Sequence, residues 1–323
     1  MLTIQMLPAC RSILGGFALI AAATLSPSGA HAAFLPDFGA ATFIPGDPID
    51  NPWFPMLSPA PRVFVAEALR GHPVDEGFEL TNIGAGPTIL GVQTQVQFDQ
   101  AFEDGLLVEE TRDYFAQDSV GNVWYFGEDV TNFIYDEDGN LIDTNNESAW
   151  RAGVNDALPG FIMPVDQTVG FNYFQEFAAA DDALDQATVF ATGLTLTTEL
   201  GELTNVLQVL ETSELDPKAR GFKYYAPGLG LVLEEEGLNP NFKHPRLSVG
   251  LVGTDGADGA ALPLTAQAVG AEAVPEPAIW AMMIFGFGLV GGTMRRRHVG
   301  SDRARGGPGG TRTPNLAVMS GQL

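Results

Sequence analysis

The chain has 323 residues, with 16 basic and 40 acidic side chains and a formal charge of −24. So acidic a surface repels phosphate backbones and anionic lipid heads, which excludes nucleic acid as a partner of the body. Its one cysteine, Cys10, leaves the rest of the chain without a disulfide, a thiol nucleophile or a thiolate metal site.

Met1 to Arg11 carries one positive side chain and no acid, and the run "ILGGFALIAAATL" from Ile13 to Leu25 is apolar but short for a bilayer span. "SPSGAHA" follows, with Ala30 and Ala32 in the A-x-A arrangement that a signal peptidase reads. Residues 1–32 are therefore expected to be a signal peptide cleaved after Ala32, which also removes Cys10. Residues 33–50 have frequent prolines and few periodic apolar runs, the pattern of an extended segment.

Residues 51–237 form a unit of single-domain size that reads as antiparallel β throughout. "ILGVQTQVQF" alternates Val92, Thr94, Val96 and Phe98 on one face, and "LLVEETRDYFAQ" follows the turn residues Glu103, Asp104 and Gly105. "NVWYFGEDV" begins after the turn Asp118 to Gly121, and "TNFIYDEDGNLIDTN" reads as a hairpin with Asp138 and Gly139 at its tip. Further strand signals are "VGFNYFQEF", "ATVFATGLTLTTEL", "TNVLQVLET", "GFKYYA" and "GLGLVLEEE"; Glu147 to Ala152 and Ala178 to Asp185 look briefly helical. The expected fold is all-β, with antiparallel strands forming a curved sheet, an open barrel or a sandwich.

The stretches "GVQTQVQFDQAFEDGLLVEETRDYFAQDSVGNVWYFGEDV", "SAWRAGVNDALPGFIMP" and "KYYAPGLGLVLEE" resemble a widespread group of exported bacterial proteins of uncharacterised function. Members typically combine a Pro-rich entry, a "YAQD..GNVWYFGE" hairpin and a closing "YYAPGVGLV" strand pair. The chain departs from that pattern at "LSPAPRVFVAE". The resemblance implies export and a fold-level grouping.

Residues 238–273, rich in Gly and Ala with isolated charges, are expected to be a flexible linker. Between the leader and Val274 the chain carries 9 basic and 38 acidic residues, a formal charge of −29. Beyond it, Pro275, Glu276 and Pro277 precede an uncharged run from Ala278 to Met294, closed by Arg295, Arg296 and Arg297. As a helix this run rises about 25 Å against a hydrocarbon core of about 30 Å, and the arginines would hold the C-terminus on the cytoplasmic side. "VPEP", "WAMMIFGFGLVGG" and "RRR" together resemble the PEP-CTERM sorting signal of Gram-negative bacteria over residues 274–298. That resemblance implies a transmembrane helix that enters the inner membrane transiently, and recognition by exosortase, which cuts near the Pro-Glu-Pro motif. Signal peptidase and exosortase are thus the expected partners during export, and the cell surface or extracellular matrix the destination. The segment "GGTRTPNLAVMSGQL" resembles peptides read through a neighbouring transfer-RNA gene, so 299–323 is expected to be disordered or artefactual.

Residues with an obvious chemistry are scarce. The body keeps only His72, with His244 in the linker, and neither a zinc set nor a serine triad can be assembled around them. No cofactor, metal or catalytic residue is assigned. Glu109, Glu110, Glu128, Asp129 and Glu176 lie on or beside expected strands, where a glycosidase-like pair would need a fixed separation and one raised pKa. Asp136, Asp138 and Asp143 supply oxygen ligands, but placing Gly139 at the sixth position of an EF-hand loop puts Ile134 first, so a hairpin tip is preferred.

Trp124, Tyr125, Tyr224 and Tyr225 form adjacent aromatic pairs, whose members must point to opposite faces of a strand. They are the candidate ligand-facing set, with core packing on both faces as the alternative. The sequence supports an exported structural or ligand-binding protein without catalysis, with extracellular polysaccharide as a candidate partner. A carboxylate-based hydrolase of surface polysaccharide and a periplasmic carrier of an apolar ligand are the alternatives.

Overall fold

The computed structural model describes residues 32–66 and 75–254. The leader through His31, with Ala30, the segment holding His72, the sorting residues Pro275, Glu276, Pro277, Arg295, Arg296 and Arg297, the expected membrane helix and the tail lie outside the described residues. Among the described residues no helix is long and apolar enough to cross a membrane.

In chain order the strands are β1 (Arg62–Ala66), β2 (Glu76–Ile89), β3 (Val92–Glu103), β4 (Leu106–Gln117), β5 (Val123–Tyr135), β6 (Leu141–Asn145), β7 (Trp150–Arg151) and β8 (Leu158–Met163). They continue as β9 (Asn172–Phe174), β10 (Glu176–Phe177), β11 (Asp185–Thr198), β12 (Gly201–Ser213), β13 (Arg220–Ala226), β14 (Gly230–Glu236) and β15 (Leu247–Gly253). The turn between β3 and β4 uses Asp104 (φ 50°) and Gly105 (φ 75°), the left-handed pair that a tight hairpin needs.

All strand pairings are antiparallel, and the sheet runs β10-β8-β5-β4-β3-β2-β1-β15-β14-β13-β12-β11-β9. Its two ends belong to one stretch of chain. β9 pairs with β11, and β10, which starts after the single residue Gln175, pairs with β8. The sheet therefore curls into a nearly closed barrel, which bears out the all-β antiparallel expectation and selects the barrel among the arrangements it allowed. Gly160 on β8 permits the approach, because a Cβ there would lie 2.4 Å from the carbonyl oxygens of both Phe174 and Gln175.

Three stretches differ from the sequence expectation. Leu247–Gly253, placed in the linker 238–273, is a strand between β14 and β1, with Leu247, Val249 and Leu251 buried. Its glycines, Gly250 and Gly253, mask an ordinary alternation of apolar residues. Trp150–Arg151, inside the expected helix 147–152, pairs with Gly127 and Glu128 of β5. Gly127 (φ 123°) sits so close to Trp150 that a Cβ would meet its carbonyl oxygen at 2.3 Å. The second expected helix shrinks to one 3-10 turn, Ala179–Asp181.

Residues 33–50 carry little regular structure but are part of the fold. Phe34 bridges to Tyr173, and Phe38 and Phe43 pack edge-on against Trp124 and Phe126 at 5.7–5.9 Å. Asp50 and Asn51 donate their backbone N–H groups to Gln117 Oε1, and Ile49 is fully buried. This strap replaces the second sheet of a sandwich by covering one flank of the barrel. Phe54 then turns inward to meet Phe115 at 5.0 Å.

Candidate functional site

The turn joining β4 to β5 is organised by one carboxylate. Asp118 accepts hydrogen bonds from the N–H groups of Val120 and Asn122, from the Asn122 amide, and from the Trp124 indole at 2.9 Å. It fixes where β5 begins and anchors Trp124 on the outer face, under Phe38 and Phe43. A bulge follows: Phe115 lies opposite Tyr125, but Asp113 lies opposite Glu128, so β5 holds one residue more than β4 over this stretch. The extra residue turns Glu128 to the same side as Tyr125 and Asp113.

That side is the barrel interior. The Tyr125 hydroxyl lies 2.6 Å from Asp113 Oδ1 and 2.9 Å from Glu128 Oε2, all three side chains being buried. Around them are Asp99 from β3, Glu109 from β4, Glu176 from β10, Asp185 from β11, Glu211 from β12 and Glu234 from β14. Lys223 of β13 stands among these acids, 3.0 Å from Glu211 and 3.6 Å from Glu234, and Gln175 donates to the second Glu211 oxygen. Asp99 Oδ1, Asp113 Oδ2, Glu128 Oε1 and Glu176 Oε2 are buried without a hydrogen-bond partner.

Burial in this interior disfavours the charged form of each acid. It pushes Asp113 up to about 7, with the Tyr125 hydrogen bond and Lys223 pulling the other way. Glu109 and Glu234 rise to about 7 for the same first reason. Glu128 and Glu176 are raised well above the carboxylate range by burial and by acidic neighbours, each feeling Asp113, with Glu176 acting on Glu128 and Asp185 on Glu176. Burial opposes the Lys223 charge, but Glu211 and Glu234 hold its pKa above the usual lysine value. The site is a set of buried carboxyl groups, each pushed towards its neutral form, around one ammonium.

Of the five acids singled out by sequence, the fold brings Glu109, Glu128 and Glu176 together inside. Glu110 and Asp129 fall on the outer face, where Glu110 accepts from Gln100 and Asp129 accepts from Tyr114 and pairs with Arg151. The four aromatics divide across the wall and all are buried: Trp124 and Tyr224 outward, Tyr125 and Tyr225 inward, none more than 8% exposed. They line no open groove. Asp136 is occupied by its own turn, accepting from Asp138 N, Asn140 N and Asn140 Nδ2, Asp143 accepts from Thr144 N, and Asp138 is exposed. His244 is exposed with φ 59°. Among the described residues no group of three or more His, Cys, Asp or Glu side chains is arranged to hold a metal ion.

Sequence reasoning missed Asp99, Asp113, Asp185, Glu211, Lys223 and Glu234. A signal existed in β3, where Val92, Thr94, Val96 and Phe98 share one face and Gln97 and Asp99 the other. Phe98, under the Arg112 guanidinium at 4.7 Å, is partly exposed, while Asp99 is buried. The polar face is the inner one.

The barrel's last strand ends at Gly253, and a protein-sorting signal begins shortly beyond it. Residues 273–297 carry the PEP-CTERM protein-sorting motif. The PEP-CTERM motif implies export, a membrane-anchored C-terminal signal and exosortase processing, as its three parts suggest in the sequence. No curated protein matches the chain. Two solved structures superpose on it loosely, each with a TM-score of 0.32. One, from Bacteroides fragilis, is described as exported and of YmcC-like fold; it is 14% identical, with 66% of this chain and 98% of that one covered. The other, from Parabacteroides distasonis, is described as a lipoprotein; it is 12% identical, with 64% and 98% covered.

Proposed function

We propose that the chain is an exported β-barrel that serves at the cell surface or in the extracellular matrix as a structural or ligand-binding component, released there when exosortase cuts near Pro275–Pro277. The observation that carries this reading is the PEP-CTERM motif at 273–297, downstream of the folded barrel. Burial of Trp124, Tyr125, Tyr224 and Tyr225 favours a structural role over an aromatic binding groove, and a carboxyl-lined interior gives no support to an apolar carrier. Mass spectrometry of the native extracellular fraction tests the destination. Peptides ending near Pro275–Pro277, with none from "TMRRRH", are expected; an intact chain in the cytosol would overturn it.

A second reading, hydrolysis of surface polysaccharide, is favoured by Asp113 and Glu128 meeting at Tyr125. Both are almost wholly buried, so substrate would reach them only through an opened wall. Release of reducing sugar from the producing strain's own polysaccharide, lost in Glu128→Gln, would establish it; no release discards it.

A further inference from the structure

We propose that the Asp113–Tyr125–Glu128 bridge is a proton-dependent clasp, which with its proton ties β4 to β5 beside the seam of the barrel and in alkaline medium lets that seam loosen. A phenol has one hydrogen, yet the Tyr125 oxygen is within hydrogen-bond distance of two carboxyls, at 2.6 and 2.9 Å. Tyr125 can donate to only one of them. The other contact is a hydrogen bond only when that carboxyl is itself protonated and donates to the phenol oxygen. The geometry therefore stores a proton on Asp113 or Glu128.

Loss of that proton puts two negative charges on either side of a hydroxyl that can satisfy one. Most of the groups around the bridge would make this worse. Asp99 (β3), Glu109 (β4) and Glu176 (β10) act on Asp113 or Glu128, with Asp185 (β11), Glu211 (β12) and Glu234 (β14) behind them, while Lys223 (β13), which favours the charged form of Asp113, is also paired with Glu211 and Glu234. Trp150 of β7 also faces Glu176, and Arg62 of β1 faces Asp99.

The repulsion arises beside the shortest pairing along the sheet's path. Tyr125 pairs with Gly160, which abuts the Phe174 and Gln175 carbonyls, and the next residue, Glu176, belongs to β10. That strand joins β8 through only two residue pairs, Glu176 with Pro159 and Phe177 with Leu158.

The test follows the thermal midpoint of the full chain in detergent from about pH 5 to about pH 9, with and without calcium, for the native chain, Glu128→Gln and Asp113→Asn. An amide at Glu128 donates to the phenol as the protonated acid does, so that variant should match the native midpoint in acid. The native chain should lose roughly 5 °C or more towards alkaline pH, and Glu128→Gln should lose clearly less. The infrared carbonyl band of a protonated carboxyl, absent from a carboxylate, should be present in the native chain at neutral pH and weaker in Glu128→Gln. A flat native profile, an equally steep one in Glu128→Gln, or no such band overturns the proposal. So does calcium restoring the alkaline midpoint, which would assign the carboxyls to a cation. If the variants fail to fold, the native profile decides: a flat one, or one that calcium restores, overturns the proposal.

Discussion

Trp124 and Tyr125 are adjacent in the chain and work on opposite sides of the barrel wall. The Trp124 indole donates outward to Asp118 and is covered by Phe38 and Phe43, while the Tyr125 hydroxyl meets Asp113 and Glu128 inside. One dipeptide thus fastens the strap to the barrel and centres the interior carboxyl cluster. Alternation along a strand makes this unavoidable; the placement of acids at both ends makes it useful.

Asp118→Ala should destabilise the fold by about 2–3 kcal/mol, because it leaves the buried Trp124 N–H without its acceptor and removes three bonds from the turn. Asp118→Asn, which keeps one carbonyl oxygen, should cost less. Urea denaturation monitored by tryptophan fluorescence measures both.

Lys223→Met removes the ammonium between Glu211 and Glu234 without shortening the side chain much. Breaking a buried pair from one side costs on the order of 3–5 kcal/mol when the remaining partner stays charged. Glu234 stands at about 7 with Lys223 beside it and rises further once the ammonium is gone, so in the variant it is protonated in acid and ionised only in alkaline medium. The loss measured by chemical denaturation should therefore be large at alkaline pH and small in acid. An equal loss at both ends would mean that Lys223 acts through packing alone.

Stability of the native chain should fall as pH rises through neutrality. Glu109 and Glu234 stand at about 7 and Glu236 at about 8, all raised chiefly by burial. A carboxyl whose pKa is raised by folding contributes stability fully below its unfolded value, and that contribution fades as pH climbs through the folded value. The urea midpoint should accordingly decline from the ordinary carboxylate value of 4.5 to about 8 and level off above it, opposite to the acid denaturation of proteins held by ionised carboxylates.

Gly160→Ala should prevent barrel closure, since its methyl group would lie 2.4 Å from two carbonyl oxygens of the neighbouring backbone. Gly250→Ala on β15 has open space around the new methyl and should be neutral or mildly stabilising, by up to about 1 kcal/mol. Circular dichroism and limited proteolysis distinguish the two.

The fold class, the hairpin turns at Asp104–Gly105 and Asp138–Gly139, and the sorting signal were legible because each rests on local chemistry. Alternation, left-handed turn residues and a Pro-Glu-Pro run before an apolar stretch are all contained within short windows. What escaped depends on distant partners. Leu247–Gly253 is a strand because β1 and β14 offer it two edges, whereas its glycines alone read as a linker. Trp150–Arg151 is a strand because Gly127 lets the two backbones approach. The carboxyl cluster escaped for a related reason. Buried acids look like a solvated face until the curl of the sheet decides which face is inside, and only then do Asp113 and Glu128 find a shared tyrosine and Lys223 its two acids.

The position of β15 ties the body's completion to the far end of its synthesis. β1, the earliest strand, has β15, the latest, as one of its two neighbours. A product truncated before Leu247 leaves the edges of β1 and β14 bare, available to any other chain it meets. Only a nascent polypeptide translated to within about twenty residues of the sorting motif can seal itself. The closing strand and the sorting motif thereby lie on the same stretch of chain.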